Sequence, residues 1–193
     1  TYLEAQQTIA YVDTLLPPLL EQADVLLKLF KYEKNDKYED HGKYVHRLLS
    51  TNKNTARNFI QAYVLDNRQT VVKSYYYGTY QVNQQTLRLS ANGEETTFSG
   101  RNHHFQDGAH HEIMTFDEDN ALAVLNFINT HQNSKVRVEG IGDKPTRNWV
   151  YYLNDKEKEA LSDTYQLGFL MKDINQLERM QRTANAQINR YTK

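Results

Sequence analysis

The densest run of chemistry-bearing side chains is Asn102-His103-His104-Phe105-Gln106-Asp107-Gly108-Ala109-His110-His111-Glu112, which holds four of the 7 histidines. Imidazole and carboxylate are natural ligands for zinc, nickel, copper or iron, so His103, His104, His110, His111 and Glu112 form a candidate site for a divalent metal. A water activated on that metal, with Glu112 or Asp107 as ligand or base, would make the protein a hydrolase. The spacing fits no standard metal template. His111-Glu112 begins an HExxH pattern, but Thr115 stands where the second histidine belongs, which excludes a zincin-type helix. Adjacent histidines on a strand point to opposite faces, so each pair divides between two sides. The plainer expectation is a solvated, histidine-rich loop and no cofactor.

Aromatic residues form a second concentration: Tyr75, Tyr76, Tyr77 and Tyr80, with Tyr63 and Trp149. Such rings stack on a sugar, a nucleobase or a peptide side chain. They also suit half-buried sheet faces, where a ring packs while its hydroxyl reaches water. Lys135, Arg137, Lys144 and Arg147 gather around one turn and offer a small anion site, or the charges that protect a hairpin edge. From these two groups Tyr75, Tyr77, Tyr80, Arg137, Arg147 and Trp149 are the candidate ligand-binding residues. No catalytic residue is assigned. The phosphate-binding patterns GxxxxGK[ST] and GxGxxG and the nucleophile elbow G-x-S-x-G are absent from the sequence. Nothing sets apart Asp66, Asp107, Glu112 or Asp117 as a general acid or base.

The bulk of the chain narrows the classes further. With 193 residues, 23 basic and 24 acidic side chains and a formal net charge of -1, it presents no overall field that would attract nucleic acid, so none is expected as a partner. The absence of cysteine removes disulfide scaffolds, thiolate nucleophiles and cysteine-bearing metal sites. Tyr (14) and Phe (7) supply the large packing units of the core. No run approaches the roughly 20 apolar residues that span a bilayer, and the first residues lack a basic stretch followed by an apolar one. Membrane attachment is therefore expected only through a removed anchor or a flanking segment. The start at Thr1 without Met suggests a trimmed or mature form.

These side chains need elements to hold them. Ile9, Val12, Leu16, Leu19, Ala23, Leu26 and Phe30 alternate steps of three and four, the seam of a helix over 1–31. Pro17 and Pro18 predict a kink, or a fresh helix at Pro17. Leu167, Leu170, Ile174, Leu177, Gln181, Ala184, Ile188 and Tyr191 repeat the pattern in a helix over 154–193, opened by an Asn154/Glu157 capping box. Two such seams predict an antiparallel helix pair that brings the chain ends together.

Residues 31–56 are polar and serve as a connector, with Tyr44, Val45, Leu48 and Leu49 suggesting a short amphipathic helix. Strand patterns occupy Ala62 to Leu65, Val71 to Tyr77, Leu87 to Leu89 and Thr96 to Phe98, the last two joined by an Asn92-Gly93 hairpin turn, with one more expected around His111 to Met114. Thr115 to Glu118 predicts a capping box for a helix reaching about Asn129. Val136 to Val138 and Trp149 to Leu153 flank a turn as a second hairpin.

The expectation is one α+β domain over 1–193: a kinked N-terminal helix (1–31), a central, mostly antiparallel sheet region with a crossing helix (58–153) and a long C-terminal helix (154–193). The expected function is a non-catalytic binding or sensing domain of a bacterial cell-envelope protein, periplasmic or lipoprotein-like. The alternatives are the metal-dependent hydrolase and a structural or assembly protein whose helices engage a protein partner or a second copy.

Overall fold

The computed structural model describes residues 1–34, 40–49 and 56–191. Helix α1 (Tyr2–Leu27) opens on a capping box, in which the Thr1 hydroxyl accepts from the Glu4 N–H and the Glu4 carboxylate reaches back to the N-terminal ammonium. It runs unbroken through Pro17 and Pro18, so no new helix begins there. Each proline costs a helix interior about 3 kcal/mol, whereas each fully buried Leu, Ile or Val contributes roughly 1.5–3 kcal/mol. Burial of Val12 and Ala23 on either side of the prolines keeps both halves on one partner. The helix stops at Leu27, short of residue 31, because Phe30 is drawn into a buried position in strand β1 (Phe30–Glu33).

That partner is helix α3 (Asp155–Tyr191). Its start is closed reciprocally: the Glu157 N–H donates to Asn154 Oδ1 and the Asn154 N–H to Glu157 Oε2, both at 2.9 Å. The pair is antiparallel. Tyr2 meets Tyr191 edge to face at 6.1 Å, Gln181 donates to Asp13, and Ala23 packs with Leu167, Leu170 and Met171.

Two antiparallel sheets occupy the region where one was expected. The larger has the order β1-β2-β3-β4-β8-β7, with β2 (Lys43–His46), β3 (Phe59–Leu65), β4 (Thr70–Gly78), β7 (Arg101–Gln106) and β8 (His110–Thr115). The smaller has the order β10-β9-β5-β6, with β5 (Thr86–Ala91), β6 (Glu94–Ser99), β9 (Arg137–Ile141) and β10 (Trp149–Tyr152). The expected amphipathic helix around Tyr44 to Leu49 is strand β2 instead. Tyr44 pairs with Tyr32 and Val64 across two strands, and Val45 is fully buried, so tertiary pairing overrides a weak helical pattern. Part of the predicted connector, 35–39 and 50–55, lies outside the described residues.

The Asn92-Gly93 turn adopts φ values of 51° and 81°, the two positive angles a type I′ hairpin requires. Helix α2 (Glu118–Thr130) begins two residues later than its sequence signature. Thr115 is held in β8 opposite Lys73 and Arg101, so Asp117 caps the helix by accepting from the Asn120 N–H at 2.8 Å. The Glu118 carboxylate accepts from Thr70 N–H instead. Residues of both sheets, α2 and the first turns of α3 form one buried cluster, and the middle of α3 forms a second with α1, Phe30 and Val64.

On the smaller sheet Glu139 of β9 accepts from Arg88 of β5 at 2.9 Å and from Arg137 at 2.6 Å. Burial raises the Glu139 carboxyl, but the two guanidiniums outweigh it and hold it below its ordinary value of 4.5. A carboxyl lowered in this way contributes stability above its unfolded value, and that stability is lost as pH falls through the folded one. Glu139→Gln is expected to lower Tm by about 2–4 °C at pH 7, a loss of about 1 kcal/mol. In a pH series of melting curves the gap from the parent protein should narrow as pH falls below the ordinary carboxyl value of 4.5 and close once the folded carboxyl is protonated.

Candidate functional site

The pleat of the large sheet sorts its side chains by alternation. Ile60, Ala62, Val64, Val72, Ser74, Tyr76, Glu112 and Met114 lie on the buried side. Their odd-numbered neighbours, aligned by the register Phe59↔Tyr75, Gln61↔Lys73, Tyr75↔Ile113, Tyr77↔His111 and Phe105↔His111, form the other face.

A groove of about 390 Å³ runs across that face, lined by Phe59, Gln61 and Tyr63 of β3, Lys73, Tyr75 and Tyr77 of β4, His111 and Ile113 of β8, and Phe105 of β7. Lys43, Glu33 and Arg57 border it. Its rings are already in register: Phe59 and Tyr75 stack at 4.4 Å and 5°, Phe105 and His111 at 4.5 Å and 5°, and Tyr77 meets His111 at 69°. The Lys43 and Lys73 ammoniums lie 5.2 and 5.8 Å from the Tyr63 ring centre, and the Arg57 guanidinium 5.6 Å from that of Phe59. Tyr75 donates its hydroxyl to Gln61 Oε1 at 3.3 Å. The His111 ring is fixed by Asp107, whose carboxylate lies 2.6 Å from Nε2 and so places a proton there. The arrangement offers ring edges, hydroxyls and cations.

The predicted ligand residues are divided by this geometry. Tyr75 and Tyr77 enter the groove together. Trp149 does not: it is 6% exposed, packed at 6.0 Å on Tyr76 and 5.7 Å on Tyr151 in the core. Arg137 is held by Glu139 on the smaller sheet. Tyr80 and Arg147 meet each other outside the groove, the guanidinium 5.5 Å from the ring centre, and Arg147 donates to the Gln81 carbonyl.

The histidine segment is a β-hairpin, not a solvated loop, and its five candidate ligands do not surround one point. The pleat puts His103 and His111 on the groove side, and His104, His110 and Glu112 on the other. His104 Nε2 and His110 Nδ1 share a hydrogen bond at 2.9 Å. Glu112, with no exposed surface, accepts from the N–H groups of Val82, Asn83 and Gln84 at 2.6, 2.8 and 2.8 Å and from Asn102 Nδ2 at 2.8 Å. A carboxylate with four donors pins the β4–β5 connection; its oxygens face protein N–H groups. Among the described residues no group of three or more His, Asp or Glu side chains is placed to hold a metal ion.

Phe59, Gln61, Lys43, Lys73, Arg57, Glu33, Phe105 and Ile113 were missed as site residues. The signal that could have found them is the alternation Phe59/Gln61/Tyr63 and Lys73/Tyr75/Tyr77, which places rings and cations on the face opposite Ile60/Ala62/Val64 and Val72/Ser74/Tyr76. No protein-family model, curated protein or solved structure matches the chain.

Proposed function

We propose that the protein is a non-catalytic binding or sensing domain and that its ligand lies in the groove across the large sheet. The observation that carries this reading is the preassembled set of rings lining one groove across four strands, in which Phe59 stacks on Tyr75, and Tyr77 and Phe105 both pack on His111. Rings that hold one another need little ordering when a ligand arrives, so less entropy opposes binding. Core burial alone does not account for Tyr77 and Phe105, which are 36% and 41% exposed. Siting in a bacterial cell envelope is supported by the helix pair: the contact of Tyr2 with Tyr191 brings both arms of the chain to one end of the molecule, as a tethered or inserted domain needs.

The test is a thermal-shift panel of oligosaccharides, short peptides and small anions on the parent protein and on Tyr77→Ala. A ligand that binds only the native state raises Tm, by about 2.7 kcal/mol of added stability at a hundred-fold excess over Kd. The expected result is a shift with at least one class that is lost in Tyr77→Ala, while the variant's own Tm stays within a few degrees because its ring is already exposed. A shift that survives in Tyr77→Ala and Phe105→Ala places the ligand elsewhere and defeats the reading.

A further inference from the structure

Phe59 and Tyr63 spend ring faces on neighbours. Phe59 and Tyr75 lie face to face at 4.4 Å, Arg57 covers Phe59, and two lysines lie over Tyr63. A ring with covered faces offers a ligand its edge, which is the electropositive part of the aromatic quadrupole, and its hydroxyl. The charged groups point the same way. Lys43 lies 4.0 Å from Glu33, but Lys73 and Arg57 have no carboxylate partner among the described residues. Among the described residues that line the groove, Lys73 and Arg57, set among ring edges, make a surface that attracts negative charge. The groove is also long: from β2 to β7 it crosses four strand spacings of about 4.8 Å, roughly 19 Å in all.

We infer that the groove takes an acidic oligosaccharide, whose carboxylates pair with Lys73 and Arg57 and whose hydroxyls meet Gln61, Tyr75 and Tyr77. This rests on the reading of the groove as the ligand site. A saccharide carries its acid and hydroxyl groups on the ring and needs only side-chain partners, which is what this face supplies. An extended peptide takes its main-chain hydrogen bonds from a sheet edge, and this groove lies across a face. Single-stranded nucleic acid stacks its bases on free ring faces along a basic track, and here the faces of Phe59 and Tyr63 are covered.

The experiment is calorimetric titration of the full chain with four probes: tetragalacturonate, its methyl ester, galactotetraose and a ten-residue oligothymidylate. Tetragalacturonate is expected to bind at least ten-fold more tightly than its ester or the neutral sugar and to weaken as salt is raised. Lys73→Met should lose a similar factor and Lys73→Arg should keep most of it, which separates loss of charge from loss of fold. Equal binding of ester and acid, or preference for the oligothymidylate, overturns the inference. If that binding still depends on Tyr77, the groove remains the ligand site and only its chemistry was misassigned. Binding of none of the four overturns the inference as well, and the wider panel then decides whether the groove itself fails.

Discussion

Replacing Glu112 by alanine is expected to cost the fold about 3–5 kcal/mol, the range for removing one partner from a buried charged network. The carboxylate has no exposed surface and takes four hydrogen bonds, three of them from consecutive backbone N–H groups at Val82, Asn83 and Gln84. Taking it away strands those donors in the interior, and each buried donor left unpaired costs about 1–3 kcal/mol. Glu112→Gln keeps the volume but turns an NH2 group toward donors, so it should lose stability too, by less than alanine. For a chain of this size the alanine variant should melt roughly 6–20 °C lower. The assignment also separates structure from metal chemistry. Neither chelator nor added zinc should move the Tm of the parent protein, because the Glu112 oxygens face protein donors. A Glu112→Ala variant as stable as the parent would remove the structural role given to this residue.

Trp149→Ala is the second large effect, again about 3–5 kcal/mol, since a large buried aromatic is lost and a cavity remains. The indole packs on Tyr76 of the large sheet and Tyr151 of the smaller one, and it lies so close to Gly140 that a side chain there would collide with it. It therefore joins the two sheets. Its Nε1 is buried without a hydrogen-bond partner, so Trp149→Phe gives up ring area while also removing an unpaired donor. That variant should lose under about 1.5 kcal/mol. Urea melts followed by circular dichroism distinguish the two, as the chain has one tryptophan and fluorescence would be lost with it. If Trp149→Phe abolished ligand binding while leaving stability intact, the indole would belong to the site after all.

Elements with strong periodicity or a specific turn were legible in the sequence. The α1 and α3 seams, the Asn92-Gly93 hairpin, the hairpin carrying Trp149 and the Asn154/Glu157 cap all depend on interactions within a few residues or on one repeated spacing. What was hidden depends on distant pairing. Residues 43–46 read as a weak helix because their strand character comes from β1 and β3, far along the chain. The division into two sheets depends on the chain leaving β4 and being held by Glu112, thirty residues downstream of Val82. The site shows the same limit. Tyr75 and Tyr77 were visible as part of a tyrosine run, but Tyr76 between them faces the core, and only register brings Phe59, His111 and Phe105 alongside. Trp149 and Arg137 were grouped with them for their chemistry alone, and burial and an ion pair set both apart from the groove.

The most direct test of the groove as the ligand site is an amide NMR titration of the ¹⁵N-labelled protein with whichever panel compound raises its Tm. The account predicts that shifts concentrate on Phe59 to Tyr63, Lys73 to Tyr77, Phe105 and His111 to Ile113, saturating together at one affinity. Shifts confined to the β9–β10 hairpin around Arg147, or to α1, would contradict it.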